Sequence, residues 1–187
     1  MDYLLELDHL TQTFHKEFGH LTVDELNWKP NTSTWSVAQN IDHLIVINKT
    51  YFPIFPLLRQ NQYSVPWIGK IDFMVNWFGK VILQSVNPDR RKKMKTFPLW
   101  EPAKSQIGAD ILDRFAAHQE ELKKVIRESA DWMAKGTVIS SPANKNIVYK
   151  LSTAFEIIIT HEKRHLQQAR EVCARLKENF SPPITGQ

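Results

Sequence analysis

Two histidines, His161 and His165, stand four residues apart in the run His161-Glu162-Lys163-Arg164-His165. On a helix this spacing projects both rings from one face, about 6 Å apart along the axis, so that both can reach one divalent cation. The flanking residues form two adjacent helical stripes. One carries Ala154, Ile158, His161, His165, Gln168 and Val172; the other carries Phe155, Ile159, Glu162, Leu166, Ala169, Cys173 and Leu176. All the polar interruptions of this apolar face fall between 161 and 168. Burying an imidazole, a carboxylate and an amide without partners would cost roughly several kcal/mol. A bound metal ion satisfies them together. A single histidine on an apolar face reads as a hydrogen-bonded core residue, but the i, i+4 pair outweighs that reading. His9, His15, His20 and His118 have no matching partner and read as ordinary structural residues.

The string H-E-x-x-H is also that of zinc metalloproteases, in which the glutamate is the general base. Its context argues against that identity. A metzincin needs a glycine three residues after the second histidine, and Gln168 stands there inside a continuing helix, so Glu171 cannot swing back. The class that takes a glutamate from a following helix has too little chain left after His165. No strand is expected whose edge could hold a peptide. Glu162 with His165, and Glu17 with His20, spell the E-x-x-H of di-iron bundles, but that site needs a glutamate from each of two other helices. The helix around His43 contains none. A third ligand must come from elsewhere, and His43 in Asp42-His43-Leu44 is the best candidate, although its own surroundings, near Ile47 and Ile54 at the edge of an apolar face, leave the choice open.

These residues need helices to hold them. Tyr3, Leu7, Leu10, Phe14, Phe18 and Leu21 recur at spacings of three and four and predict a first helix. Thr22 to Glu25 has the form of a capping box opening a short turn. Ser36 and Gln39 form another, starting a second helix with Val37, Ile41, Leu44, Ile45, Asn48 and Phe52 on one side. Pro53 and Pro56 kink or end it. Residues 61–104 are irregular, with a short helix over 70–86 and an apolar patch that includes Trp67, Phe73, Trp77, Phe78 and Val81. The patch reads as cover for one end of the core, with a lid or partner surface as the alternative. A third helix is expected from Ser105 to Ala130, then a loop through Gly136, Ser140, Ser141, Pro142 and Asn144. A fourth opens on a capping box at Thr153 to Glu156 and reaches about Asn179. The expected fold is all-α: one domain over 1–187, an antiparallel four-helix bundle with a long irregular crossover between helices two and three.

The chain has 187 residues with 42% hydrophobic composition, which suits one domain with a proper core. No apolar run is long enough to cross a bilayer, and the start of the chain lacks a signal-peptide pattern, so a cytoplasmic protein without a membrane role is expected. Cys173 is the sole cysteine, which excludes an internal disulfide and suits a small buried helix residue. The net charge of +4 is modest, and much of it sits in Arg90, Arg91, Lys92, Lys93 and Lys95. That cluster reads as a solvated loop, and no nucleic-acid partner is expected.

The segments Asp24-Glu25-Leu26-Asn27-Trp28-Lys29-Pro30, Trp35-Ser36-Val37-Ala38-Gln39, Asp42-His43-Leu44 and His161 to Ala169 together resemble the DinB/YfiT-like superfamily in order and spacing. The resemblance spans nearly the whole chain, more loosely over 61–104. It implies a four-helix bundle with a long crossover and a divalent metal, commonly nickel or zinc, on three histidines, which fall on His43, His161 and His165. Characterised members include S-transferases and an isomerase that use low-molecular-weight thiols, and many others are described only as metal-dependent hydrolases. The resemblance also implies a small-molecule substrate and is compatible with a homodimer.

Three neutral imidazoles leave the ion at least one open position, as in catalytic sites. The chemistry expected is activation of a thiol for transfer, or of water for hydrolysis. Glu162 would be a base or would orient a ligand, with a supporting or salt-bridging role as its alternative, since the helix turns it about 100° from His161. Gln168 would hydrogen-bond a water on the ion, with a plain interhelical bond as its alternative. The competing class is a non-catalytic scaffold whose ion stabilises the bundle.

Overall fold

The structure, a computed structural model, describes residues 1–89 and 96–180. The basic run from Arg90 to Lys95 lies outside the described residues. The chain is mostly helical: α1 (Tyr3–Phe18), α2 (Val23–Asn27), α3 (Val37–Lys49), α4 (Ile54–Arg59), α5 (Asp72–Ser85), α6 (Ile111–Glu128), α7 (Ala130–Ala134) and α8 (Leu151–Phe180). Between α7 and α8 lie two strands, β1 (Val138–Ser141) and β2 (Asn144–Lys150). No helix among the described residues is long and apolar enough to cross a membrane.

The helix starts follow from their sequences. Asp2 accepts from the amides of Leu4 and Leu5 at the head of α1, and both expected capping boxes are present, Thr22 with Glu25 and Ser36 with Gln39. α1 buries Leu7, Leu10, Phe14 and Phe18, the stripe its periodicity predicts. α3 is buried on nearly every side, its polar residues included. Pro53 precedes α4 and Pro56 sits in its first turn, where no intrahelical amide is needed, so the prolines end α3 and allow a new helix to begin. α3 packs on α6 and α8, and α1 packs on the same two helices, around one continuous apolar core.

The structure corrects the expected elements in four places. The loop expected around Ser140 is instead a hairpin, with Val138 opposite Lys150, Ile139 opposite Tyr149 and an irregularity at Ser140/Ser141. β2 runs directly into α8, whose first residue, Leu151, donates its amide to the Thr137 carbonyl at 2.8 Å. The helix therefore starts before Thr153, and Thr153 to Glu156 is no cap. Helix three begins at Ile111 rather than Ser105, because Asn27 holds the Ile107 backbone at both N–H (2.9 Å) and C=O (2.8 Å), outside any helix. The aromatic patch does not cover the core: Val75 is buried, but Trp67 and Phe73 are each 73% exposed and Trp77 is 48% exposed. The inner side of α5 lies against β2 and α8. A Cβ at Gly79 would come within 3.1 Å of Thr153 Cγ2, a closeness of approach that glycine permits.

Candidate metal centre

α3 and α8 run antiparallel. Asn40 bonds His165, Asn48 bonds Glu162 and the Tyr51 hydroxyl bonds that of Tyr149, so α3 descends as α8 ascends. This brings His43 against His161 and His165. Their candidate ligand nitrogens all lie within 4.8 Å of one another, and among the described residues these three form the cluster able to hold a metal ion.

Two of the three rings are oriented by a second contact outside the cluster. His43 donates Nδ1–H to the Trp100 carbonyl at 2.5 Å. His165 donates Nδ1–H to Asn40 Oδ1 at 2.8 Å, and Asn40 is itself fixed by donating Nδ2–H to the Ser36 carbonyl at 2.9 Å. These bonds set the tautomers, leaving Nε2 of both rings as a lone-pair donor. The Nε2 atoms of His161 and His165 stand 3.0 Å apart. Two nitrogens each about 2.0–2.1 Å from a common zinc ion are separated by a comparable distance, so the arrangement fits an ion between them. Trp35 packs over the cluster, stacked on His165 and tilted against His43.

Burial keeps the imidazoles neutral, the protonation state a metal requires. Desolvation lowers the pKa of His43 to about 4, against the opposing effects of the Trp100 carbonyl and Asp42. His165 is held well below its usual value by burial first, then by His161, His43 and Arg164. His161 is lowered in the same way, by burial and then by His43 and Arg164.

The segment before α6 closes over the site because α3 pins it there. Gln39 donates to the Ala103 carbonyl at 2.9 Å, Asp42 accepts from the Ala103 amide at 3.0 Å, and His43 holds Trp100. Asp42 also pairs with Arg114 at 3.1 Å. Beneath this cover lies a cavity of about 910 Å³, lined by all three histidines.

Gln168 lines that cavity one turn beyond His165. Glu162 does not line it. Its carboxylate is fully buried between α8, α3 and α6, accepting from Asn48 Nδ2 at 2.8 Å and Gln119 Nε2 at 2.7 Å. Burial pushes its pKa up to about 7 despite the lowering pull of the two amides. This geometry suits a group tying α8 to α3 and α6. Glu17, from the other E-x-x-H string, pairs with Arg170 and takes no part in the cluster. His9 and His20 are exposed, and His118 is buried elsewhere, stacked on Phe52.

Sequence reasoning missed Asn40, Trp100, Tyr51 and Tyr149. Asn40 had a usable signal, since it stands three residues before His43 on a neighbouring position of the same helix face. Trp100 contributes a backbone carbonyl, which no side-chain pattern announces.

A family model described as the DinB superfamily matches residues 6–169. No curated protein and no solved structure matches the chain.

Proposed function

The chain belongs to the DinB superfamily, and from that premise we propose that it is a metal-dependent enzyme acting on a small molecule at His43, His161 and His165. The observation that carries this reading is the orientation of the histidines: Nδ1 of His43 and of His165 is committed to an oxygen acceptor, so that Nε2 of each is left for an ion beside a cavity open to solvent on one side. Nickel and zinc both suit neutral imidazole donors. A divalent ion held there supplies Lewis acidity, which makes a coordinated thiol or water nucleophilic near neutral pH.

The chain's own residues supply position. Trp100 and Asn40 hold two rings in register, Trp35 shields them from bulk water, and Gln168 offers an amide to a substrate beside His165. Glu162 keeps the middle of α8 seated on α3 and α6. Transfer of a low-molecular-weight thiol to an electrophilic carbon is the favoured reaction, on family resemblance, with hydrolysis as its neighbour. The mutual packing of α1, α3, α6 and α8 supports reading the helical body as a four-helix bundle to which α5 and the hairpin are added. The cavity favours an enzyme over a scaffold, because an ion that only braced helices would need no space beside it.

The test is a screen of thiols with electrophilic substrates, and of simple esters in parallel, using metal-loaded protein. The expected result is turnover lost on metal removal and in His43→Ala. Turnover that survives metal removal overturns the mechanism. Inactivity throughout, with a large fall in melting temperature on chelation, points to the scaffold.

A further inference from the structure

The cavity is chemically uneven along its length. Toward the C-terminal end of α8 its wall is mostly polar, with Gln168, Glu171 and Arg175 beside Val172, and Lys29 and Thr32 are also in the lining. In the other direction, one turn from the histidines, it is lined by Ile47, Ile157 and Ile158, with Ile82, Ile147 and the polar Asn48 also in the lining. This apolar stretch meets a group of hydroxyls: Tyr51 and Tyr149, whose oxygens are 2.8 Å apart, with Ser141 also lining the cavity and bonding Tyr149. Tyr51 is 7% exposed and Tyr149 1%. Two buried phenols would not be chosen to end an apolar wall for packing alone, since each hydroxyl carries a desolvation cost that phenylalanine avoids.

The hydroxyls have capacity to spare. Three linked O–H groups contain three protons but need only two for the bonds joining them, so one proton and several lone pairs remain for another partner. Tyr51 stands eight residues after His43 on the α3 side of the cavity. Tyr51 lies two residues past the end of α3; were the helix continued that far, its backbone would stand about 12 Å along the axis from that of His43, which is the scale of a molecule rather than of a single functional group.

We propose that the Tyr51–Tyr149 end is a specificity subsite, and that the substrate is an elongated molecule with a metal-binding head, an apolar middle and a hydrogen-bonding tail. The head sits at the three histidines, the middle lies along Ile47, Ile157 and Ile158, and a hydroxyl or carbonyl at the tail meets the tyrosine hydroxyls. This rests on the metal-site reading above.

Binding of hydroxamates to the zinc-loaded full chain separates the two ideas. Acetohydroxamate reports the metal site alone, and straight-chain hydroxamates of increasing length, with and without a terminal hydroxyl, report the subsite. Affinity is expected to rise roughly two- to fourfold per added methylene up to the length that reaches the tyrosines. At that length the terminal hydroxyl should add about tenfold. Tyr51→Phe and Tyr149→Phe, which keep the packing, should each remove that hydroxyl advantage and leave acetohydroxamate as an unchanged internal reference. If acetohydroxamate binds in a zinc-dependent way but chain length adds nothing, or the hydroxyl advantage survives both substitutions, the subsite is overturned and the metal site stands. If acetohydroxamate binding does not depend on zinc, the metal-site reading fails and the subsite falls with it.

Discussion

Two sets of buried histidine in this protein meet burial in different ways. At the candidate metal centre the rings of His43 and His165 each have one nitrogen tied to an oxygen, by a backbone carbonyl and by Asn40, and the other turned toward the cluster. His118 on α6 is as deeply buried, at 2% exposed, yet neither of its nitrogens has a hydrogen-bond partner among the described residues. It lies stacked on Phe52 at a centroid distance of 5.5 Å. All are neutral for the same first reason, desolvation. Burial therefore does not distinguish a ligand from a core histidine. What distinguishes them is whether a second partner fixes the tautomer and aims the remaining lone pair at other donors.

The largest effect expected from this contrast is at the ligands. His43→Ala or His165→Ala should lower zinc affinity at least a hundredfold by competition with a chromophoric chelator, a loss larger than that usual for supporting residues. His118→Leu should leave zinc affinity unchanged, and a comparable loss there would erase the distinction.

The same substitution should change acid stability. The pKa of His118 is lowered from 6.5 to about 4, by burial first and then by the charge of Lys49. The unfolded chain therefore takes up this proton before the folded one, and the contribution is full above pH 6.5 and lost as pH falls through 4. Its size is about 3 kcal/mol. Denaturant unfolding at a series of pH values should show His118→Leu losing that much less stability than the wild type across this window. Parallel curves would mean that His118 is not held neutral in the fold.

A smaller effect is expected at Glu162. Glu162→Ala leaves the Asn48 and Gln119 amides without their acceptor and should cost about 2 kcal/mol, with one metal ion per chain retained. Loss of metal without loss of stability would place Glu162 with the ligands instead. Smallest is Asn40→Ala, expected to weaken zinc about tenfold by releasing His165, while Asn40→Asp, which keeps an acceptor for Nδ1–H, restores most of the affinity.

The histidine cluster was legible in the sequence to the extent that its geometry is local. His161 and His165 share a helix, so their spacing alone brings the rings together, and the structure places them with Nε2 atoms 3.0 Å apart. His43 depends on how α3 meets α8, which periodicity does not encode; the residues alone made it a candidate with the choice left open, and the family resemblance singled it out. The helix starts at Val23 and Val37 were readable because capping boxes are local hydrogen-bond circuits. The start at Ile111 was not, because it is set by Asn27, 80 residues away in the chain from its partner Ile107. The hairpin escaped for a related reason. Its strands of four and seven residues are too short to show alternation clearly, and they are stabilised by packing against α5 and by the direct passage into α8. The pockets and hydroxyl pairs between elements are products of that packing, which is why Tyr51 and Tyr149 carried no signal as separate letters.

Metal analysis of protein purified without chelators asks whether His43, His161 and His165 together hold one divalent ion. One equivalent of divalent metal per chain is expected in the wild type and in His118→Leu, and close to none in His43→Ala and His165→Ala. A wild type without stoichiometric metal, even after incubation with zinc or nickel, or a His165→Ala variant that retains a full equivalent, would show that these histidines hold no such ion together.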